Sequence, residues 1–190
     1  MRFRVVAAIV IVGISGAVFL LSDALRRGIS ARARPGAVET FVARQMRHWA
    51  TPRAMRKAAN PIAPSAEVLA SGRAHFADHC ASCHGNDGKG QTEMGRAMFP
   101  PAPDMTKSAT QSLSDGELFS IIANGIRMTG MPAWGDGSEE SRRDTWHLVH
   151  FIRHLPSITA AEIAEMERLN PRSPAEMKEM QAEEEFLKGR

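Results

Sequence analysis

The sequence predicts an all-α protein, because it is poor in sheet-forming residues and carries several helix-start signals. Tyrosine is absent, and aromatic residues make up 6% of the 190 residues. β-Branched residues are sparse after the first two dozen positions, so there is little material for a strand. Three Ser/Thr-x-x-Glu capping boxes each predict the first turn of a helix, at Ser114 with Glu117, Thr159 with Glu162, and Ser173 with Glu176.

Charge is unevenly distributed along the chain. Residues 1–64 carry eleven Lys or Arg and two acidic residues, residues 65–156 carry eight against eleven, and residues 157–190 carry five against eight. The formal net charge of +3 therefore reflects the N-terminal segment. A nucleic-acid-binding protein would need basic residues on a folded face. Since the predicted folded part is mildly acidic, we expect no nucleic-acid partner.

Residues 1–25 contain an apolar run that predicts a transmembrane helix. Residues 5–21 carry no charge and would span about 25 Å as a helix, which is near the lower limit for crossing a bilayer. Small residues at Ser22 and Ala24 have the spacing that a signal peptidase recognises. We predict an uncleaved anchor, and a cleaved signal sequence is the alternative.

The next segment, residues 26–64, is predicted to hold a basic amphipathic helix followed by a linker. Apolar residues recur at helical spacing at Val38, Phe41, Val42, Met46 and Trp49. This helix could lie on anionic lipid headgroups, or it could pack on the folded domain. Two prolines within residues 58–65 indicate a linker that ends in a helix cap.

The folded domain is predicted to cover residues 65–156. A first helix at about 66–79 is followed by a glycine- and proline-rich loop at 85–113, which is long enough to indicate a functional role. Further helices should start at Ser114 and at about 139, and the last one should end at Pro156. The acidic residues 157–190 form either a solvated helical tail or a docking strip.

The two cysteines of the chain, Cys80 and Cys83, lie in the sequence Cys-Ala-Ser-Cys-His, which ends at His84. This C-x-x-C-H pattern is the attachment signature of c-type haem, in which both thiols bind the porphyrin and the histidine binds the iron. Residues three and four apart on one helical turn face one side, so all three side chains can reach one haem. A zinc site would need a second ligand pair, and a thioredoxin-type site would need a preceding strand.

A methionine is the expected sixth ligand of the iron. The chain has eleven methionines, and most are expected to pack in the interior, among them Met46, Met94, Met98, Met105, Met166, Met177 and Met180. Met131 differs, because Gly130 and Pro132 hold it in an extended turn that can direct its side chain at a metal. Met128 is the rival in the same turn.

Together these motifs resemble class I cytochromes c over residues 65–156. Gly72 with Phe76 resembles the pair in the family's first helix that packs against Leu148 and Phe151 in the last helix. The resemblance implies one covalent haem c with His84 and Met131 as axial ligands. It further implies that a backbone carbonyl at Pro100 or Pro101 accepts a hydrogen bond from the axial histidine, which would fix the orientation of its ring.

Residues beside the ligand turn are candidates for binding the haem propionates. Arg127 and Trp134 can both donate hydrogen bonds and flank Met131, although Trp134 is also a candidate core residue. Trp146, on the last helix, is predicted to be core. The remaining histidines are expected to be surface or packing residues: His48, His75, His79, His147, His150 and His154.

With both axial positions filled by side chains, a single-electron carrier that is not an enzyme is the expected function. Its partners would be redox proteins and the membrane, with no small-molecule substrate. A haem subunit of a larger membrane oxidase or dehydrogenase is the alternative. The arginines after the apolar run favour a cytoplasmic side for the body, but c-type haem is attached on the outer side. We therefore predict a bacterial inner-membrane protein with its haem domain in the periplasm, or a soluble periplasmic form after signal cleavage.

Overall fold

The computed structural model describes residues 2–27, 30–172 and 174–189, and within these ranges the chain is helical with no strand. The all-α prediction is therefore confirmed. The helices are α1 (Arg2–Arg27), α2 (Ala37–Ala50), α3 (Arg53–Arg56), α4 (Ala66–His75), α5 (Ala81–His84), α6 (Glu93–Ala97), α7 (Ser108–Gln111), α8 (Asp115–Asn124), α9 (Glu139–His154), α10 (Ala160–Glu167) and α11 (Pro174–Lys188). A π-helical turn (Phe76–Cys80) joins α4 to α5, and a 3-10 turn (Leu155–Ser157) follows α9.

Helix α1 contains the predicted apolar span. Its segment Arg4–Asp23 has a mean hydropathy of 2.7 and none of it is buried in the protein. By length and composition this helix can cross a membrane, and a signal sequence near an N-terminus has the same properties.

The core forms where α4 crosses α9, and Gly72 is the point of closest approach. A Cβ atom at Gly72 would lie 2.3 Å from the backbone oxygen of His147, so only glycine fits there without moving one of the helices. One turn later, the rings of Phe76 and Phe151 pack with their centroids 5.1 Å apart, and both residues are fully buried. The predicted pairing of the first and last helices of the domain is observed.

Side-chain caps fix where several helices begin. Ser65 accepts a hydrogen bond from the backbone N–H of Val68 (3.2 Å) and starts α4. The capping boxes predicted at Ser114 and Thr159 are both formed and start α8 and α10. The third predicted box depends on Ser173, which lies outside the described residues.

The predicted linker packs against the helices of the domain. The N–H of Gly116 donates to the backbone oxygen of Ala58 (3.2 Å), and the side-chain amide of Asn60 donates to the backbone oxygen of Trp146 (2.8 Å). Met55, Ala58 and Ile62 contribute partly buried apolar surface. Residues 55–62 are therefore attached to the domain. The two prolines predicted a linker and gave no sign of this packing.

The acidic C-terminal segment is docked over its first half. Met166 on α10 is fully buried, and Arg73 on α4 forms ion pairs with Glu162 (3.4 Å) and Glu165 (2.8 Å).

Interior packing of methionines is confirmed for Met105 and Met166. It is wrong for four others that are exposed, namely Met46, Met94, Met177 and Met180, because α2, α6 and α11 do not bury those faces.

Candidate haem site

The Cys-x-x-Cys-His segment lies on a single turn that continues from α4. The π-helical turn widens the helix by one residue, so that the N–H of Ala81 donates to the backbone oxygen of Phe76. Such π-turns are often found at functional sites. Helix α5 then carries Cys83 and His84, and it ends at Gly85, whose φ of 73° favours glycine.

Both cysteines are free thiols, and both residues are partly buried. Burial raises the pKa of the Cys80 thiol to about 12, and the charge of Cys83 acts in the same direction. Cys80 is therefore protonated near neutral pH in the protein alone. Neither thiol is used in a disulfide, so both can form bonds to a prosthetic group.

The imidazole of His84 is buried and lacks a hydrogen-bond partner at Nδ1 within the described chain. Burial lowers the pKa of His84 to about 4, while the backbone oxygen of Pro103 acts in the opposite direction. The ring is therefore neutral near pH 7, which is the form that binds a metal. A buried polar atom without a partner is uncommon and indicates a group that binds something outside the polypeptide.

The predicted contact between the axial histidine and a carbonyl at Pro100 or Pro101 stays a prediction. Pro100 follows a cis peptide bond and is exposed, whereas the backbone group that affects the pKa of His84 belongs to Pro103. Both prolines lie in the same Pro-Pro-Ala-Pro segment, residues 100–103.

The loop after the motif folds back onto the turn and satisfies its carbonyls. The N–H of Gly90 donates to the backbone oxygen of His84 (2.7 Å), and the Thr92 hydroxyl donates to that of Cys83 (2.9 Å). A Cβ at Gly95 would lie 2.2 Å from the same Cys83 oxygen, so glycine permits this close approach. These contacts hold the backbone of Cys83 and His84 in place.

Residues 125–135 form a tight turn that returns to the end of α8. The N–H of Ile126 donates to the backbone oxygen of Met131 (3.1 Å), and the N–H of Trp134 donates to that of Ile122 (3.1 Å). Gly125 has a φ of 64° and lies directly against residues 131–133. Within the turn Met131 is partly buried, whereas Met128 has a φ of 61° and is 92% exposed.

Two contacts bring this turn to the Cys-x-x-Cys-His segment and its loop. The ring of Trp134 meets that of His79, the residue before Cys80, edge to face with centroids 5.1 Å apart. On another part of the turn, Met98 packs so closely on Gly130 that a Cβ there would be 2.3 Å from its sulfur. The position of Met98 was missed, because nothing in the loop sequence distinguishes it from Met94.

The other predicted site residues have less specific surroundings. Arg127 is exposed in the turn, and Trp134 is also partly packed against the hydrophobic core. Trp146 is buried and stacks on Phe119 with centroids 4.3 Å apart, which agrees with its predicted core role. Four of the six remaining histidines form hydrogen bonds with other residues, and the rings of the other two, His75 and His79, contact each other. The described residues hold no cluster of three or more His, Cys, Asp or Glu suited to a metal.

The donor set of this site fits a c-type haem. Two free thiols and a neutral imidazole lie on one turn, with an unpartnered nitrogen on that imidazole. Among known proteins, residues 67–152 match the family described as cytochrome C oxidase, cbb3-type, subunit III. No curated protein matches the chain.

Proposed function

Because residues 67–152 form a class I cytochrome c-like domain, we propose that this chain is a single-electron carrier with one covalent haem c. The family match implies haem c and electron transfer through it. The observation that carries the finer proposal is the single turn with two free thiols and the buried imidazole of His84. Cys80 and Cys83 would form the thioether links, and His84 would bind the iron.

The bound haem would supply a reversible one-electron couple at its iron. Met131, on the turn at 125–135, would be the second side chain that holds the haem iron. The Pro103 carbonyl would orient the ring of His84, in the role expected for Pro100. Arg127 and Trp134 remain the candidates for the propionates, since both can donate hydrogen bonds. If His84 and Met131 both hold the iron, electrons would pass to redox proteins without a small-molecule substrate.

We further propose that α1 anchors the protein in the bacterial inner membrane with the haem domain in the periplasm. Support comes from the apolar length of the segment Arg4–Asp23 and from the chemistry of the Cys-x-x-Cys-His segment, since such haem is attached outside the cytoplasm. A mature N-terminus at Leu25 would instead identify a signal sequence. N-terminal sequencing of the purified protein distinguishes the two.

The alternative is a permanent subunit of a membrane complex. The matching family is described as subunit III of cbb3-type cytochrome c oxidase, which favours this alternative over a freely diffusing carrier. The chemistry of the chain would be the same in both cases. Purification from detergent-solubilised membranes separates them, because a subunit should co-purify with its partners in a constant ratio.

Redox titration of the purified protein tests the function itself. We expect one haem per chain, and a titration curve that follows a single one-electron couple. Two haems per chain, or a haem released by denaturation alone, would contradict the proposal.

A further inference from the structure

Helix α2 presents an apolar stripe, interrupted by Gln45, to the outside of the protein. Five side chains at helical spacing lie along one face, and none is covered by another described part of the chain. Their exposed fractions are 56% for Val38, 63% for Phe41, 46% for Val42, 62% for Met46 and 74% for Trp49. Five large apolar side chains exposed side by side are typical of a binding surface.

A neighbouring face of α2 is attached to the domain, and this fixes the direction of the stripe. Nδ1 of His48 lies 3.3 Å from a carboxylate oxygen of Glu117 on α8. The guanidinium of Arg56 donates to the backbone oxygen of His48 (2.9 Å), and Thr51 at the end of the helix is buried. Turning the stripe toward the domain would break these contacts.

The position of α2 in the chain indicates a membrane as the partner of the stripe. Helix α1 ends at Arg27 and α2 begins at Ala37, so few residues separate the stripe from the proposed membrane span. Residues 26–57 contain nine Lys or Arg and one acidic residue, a composition that complements anionic phospholipid headgroups. A helix with an apolar face and basic surroundings is the usual form of an interfacial membrane helix.

We infer that α2 lies in the headgroup region of the bilayer, with its apolar stripe at the boundary of the acyl chains. The partner is a lipid surface that contains anionic phospholipid. Since His48 on a neighbouring face of α2 contacts α8, this arrangement sets one side of the haem domain close to the membrane. The inference rests on the proposed retention of α1 in the membrane.

Spin labels on adjacent residues of α2 test the inference. The full-length, haem-loaded protein is reconstituted in vesicles of phosphatidylethanolamine and phosphatidylglycerol, and a nitroxide is attached to Val42→Cys or to its matched control, Ala43→Cys. Ala43 is also exposed, but it lies about 100° further around the helix. We expect the label at residue 42 to be accessible to oxygen and several-fold protected from a water-soluble nickel complex. The label at residue 43 should show the reverse.

Two outcomes would overturn the inference. Equal access of the nickel complex to both labels would place the stripe in water, and strong dipolar broadening confined to residue 42 would show that a second copy of the chain covers it. Two further measurements test the proposed function independently of the spin labels. Labelling of the unmodified protein would show that Cys80 or Cys83 is not bound to haem, and mass spectrometry of the intact protein reports whether α1 is retained.

Discussion

Trp134 and His79 meet edge to face with their ring centroids 5.1 Å apart. Trp134 follows the proposed ligand Met131 by three residues, and His79 directly precedes Cys80. This aromatic pair therefore connects the turn that carries the proposed second ligand to the helix that carries the first. Removal of the indole should loosen the turn without changing either ligand.

Trp134→Ala should lower the temperature at which the ferric protein loses its sulfur-to-iron absorption band. An aromatic pair contributes about 1 kcal/mol beyond its buried area, so a shift of several degrees is expected for a domain of this size. Trp134→Phe keeps a ring at this position and should retain most of the effect. If the band of Trp134→Ala is lost at the temperature of the unmodified protein, the pair does not hold the turn.

Removing both thiols should abolish covalent attachment of haem. Cys80→Ala with Cys83→Ala leaves His84 in place, so haem could bind only through coordination and would be released on denaturation. Denaturing electrophoresis followed by haem-dependent peroxidase staining checks this. The unmodified protein should stain at about 21 kDa (20.8 kDa without haem). Staining of the double variant would show attachment elsewhere.

Gly72→Ala should destabilise the fold by about 1 to 3 kcal/mol, since a new methyl group must be forced into a closed contact. The contact is with the backbone of α9 at His147, 2.3 Å from the Cβ position, and backbone moves less readily than a side chain. Urea unfolding measures the loss. Gly189→Ala is the control, because its Cβ would lie 3.5 Å from the nearest atom and should change little.

Sequence patterns within a few residues of each other predicted most of the helices. Contacts between segments far apart in the chain could not be predicted from the sequence. Caps at Ser65, Ser114 and Thr159 formed as expected, since each depends on residues within three positions. The docking of Asn60 against Trp146 was missed, because it joins residues far apart in the chain. Sequence likewise leaves open which proline carbonyl serves His84. Pro100 and Pro101 are predicted, and the backbone oxygen of Pro103 is the one that raises the pKa of His84.

Glu162 should make stability depend on pH in the acidic range. Burial raises its pKa, but hydrogen bonds from the N–H and hydroxyl of Thr159 and the proximity of His154 outweigh this, so its pKa lies below the ordinary value of 4.5. A carboxyl whose pKa is lowered by folding contributes stability above its unfolded pKa. That contribution is lost as the pH falls through the folded pKa.

Glu162→Gln isolates this contribution, since glutamine can still cap α10. The variant should be less stable by about 1 to 2 kcal/mol near neutral pH. The difference from the unmodified protein should shrink toward zero as the pH falls below 4.5. Urea unfolding of both proteins from about pH 7 to about pH 3 measures it. A difference that does not change with pH would show that the charge of Glu162 contributes nothing.

Three methionines lie at or beside the turn that is proposed to supply the sixth ligand. Met128 is 92% exposed, which leaves its thioether in solvent. Met98 packs its sulfur against Gly130 within the turn. Met131 is partly buried, and its backbone oxygen accepts a hydrogen bond from Ile126 (3.1 Å), so its main chain is held in place.

Met131→Ala should lower the reduction potential, because a thioether stabilises ferrous iron. A fall on the order of 100 mV is expected, which is a fraction of the roughly 0.8 V range that axial ligands control. The covalent haem should remain, and the reduced variant should bind carbon monoxide at the vacated position. Met128→Ala and Met98→Ala, measured by the same redox titration and carbon monoxide difference spectrum, should stay close to the unmodified protein. A gain of carbon monoxide binding in one of these two, with none in Met131→Ala, would assign the ligand to that methionine instead.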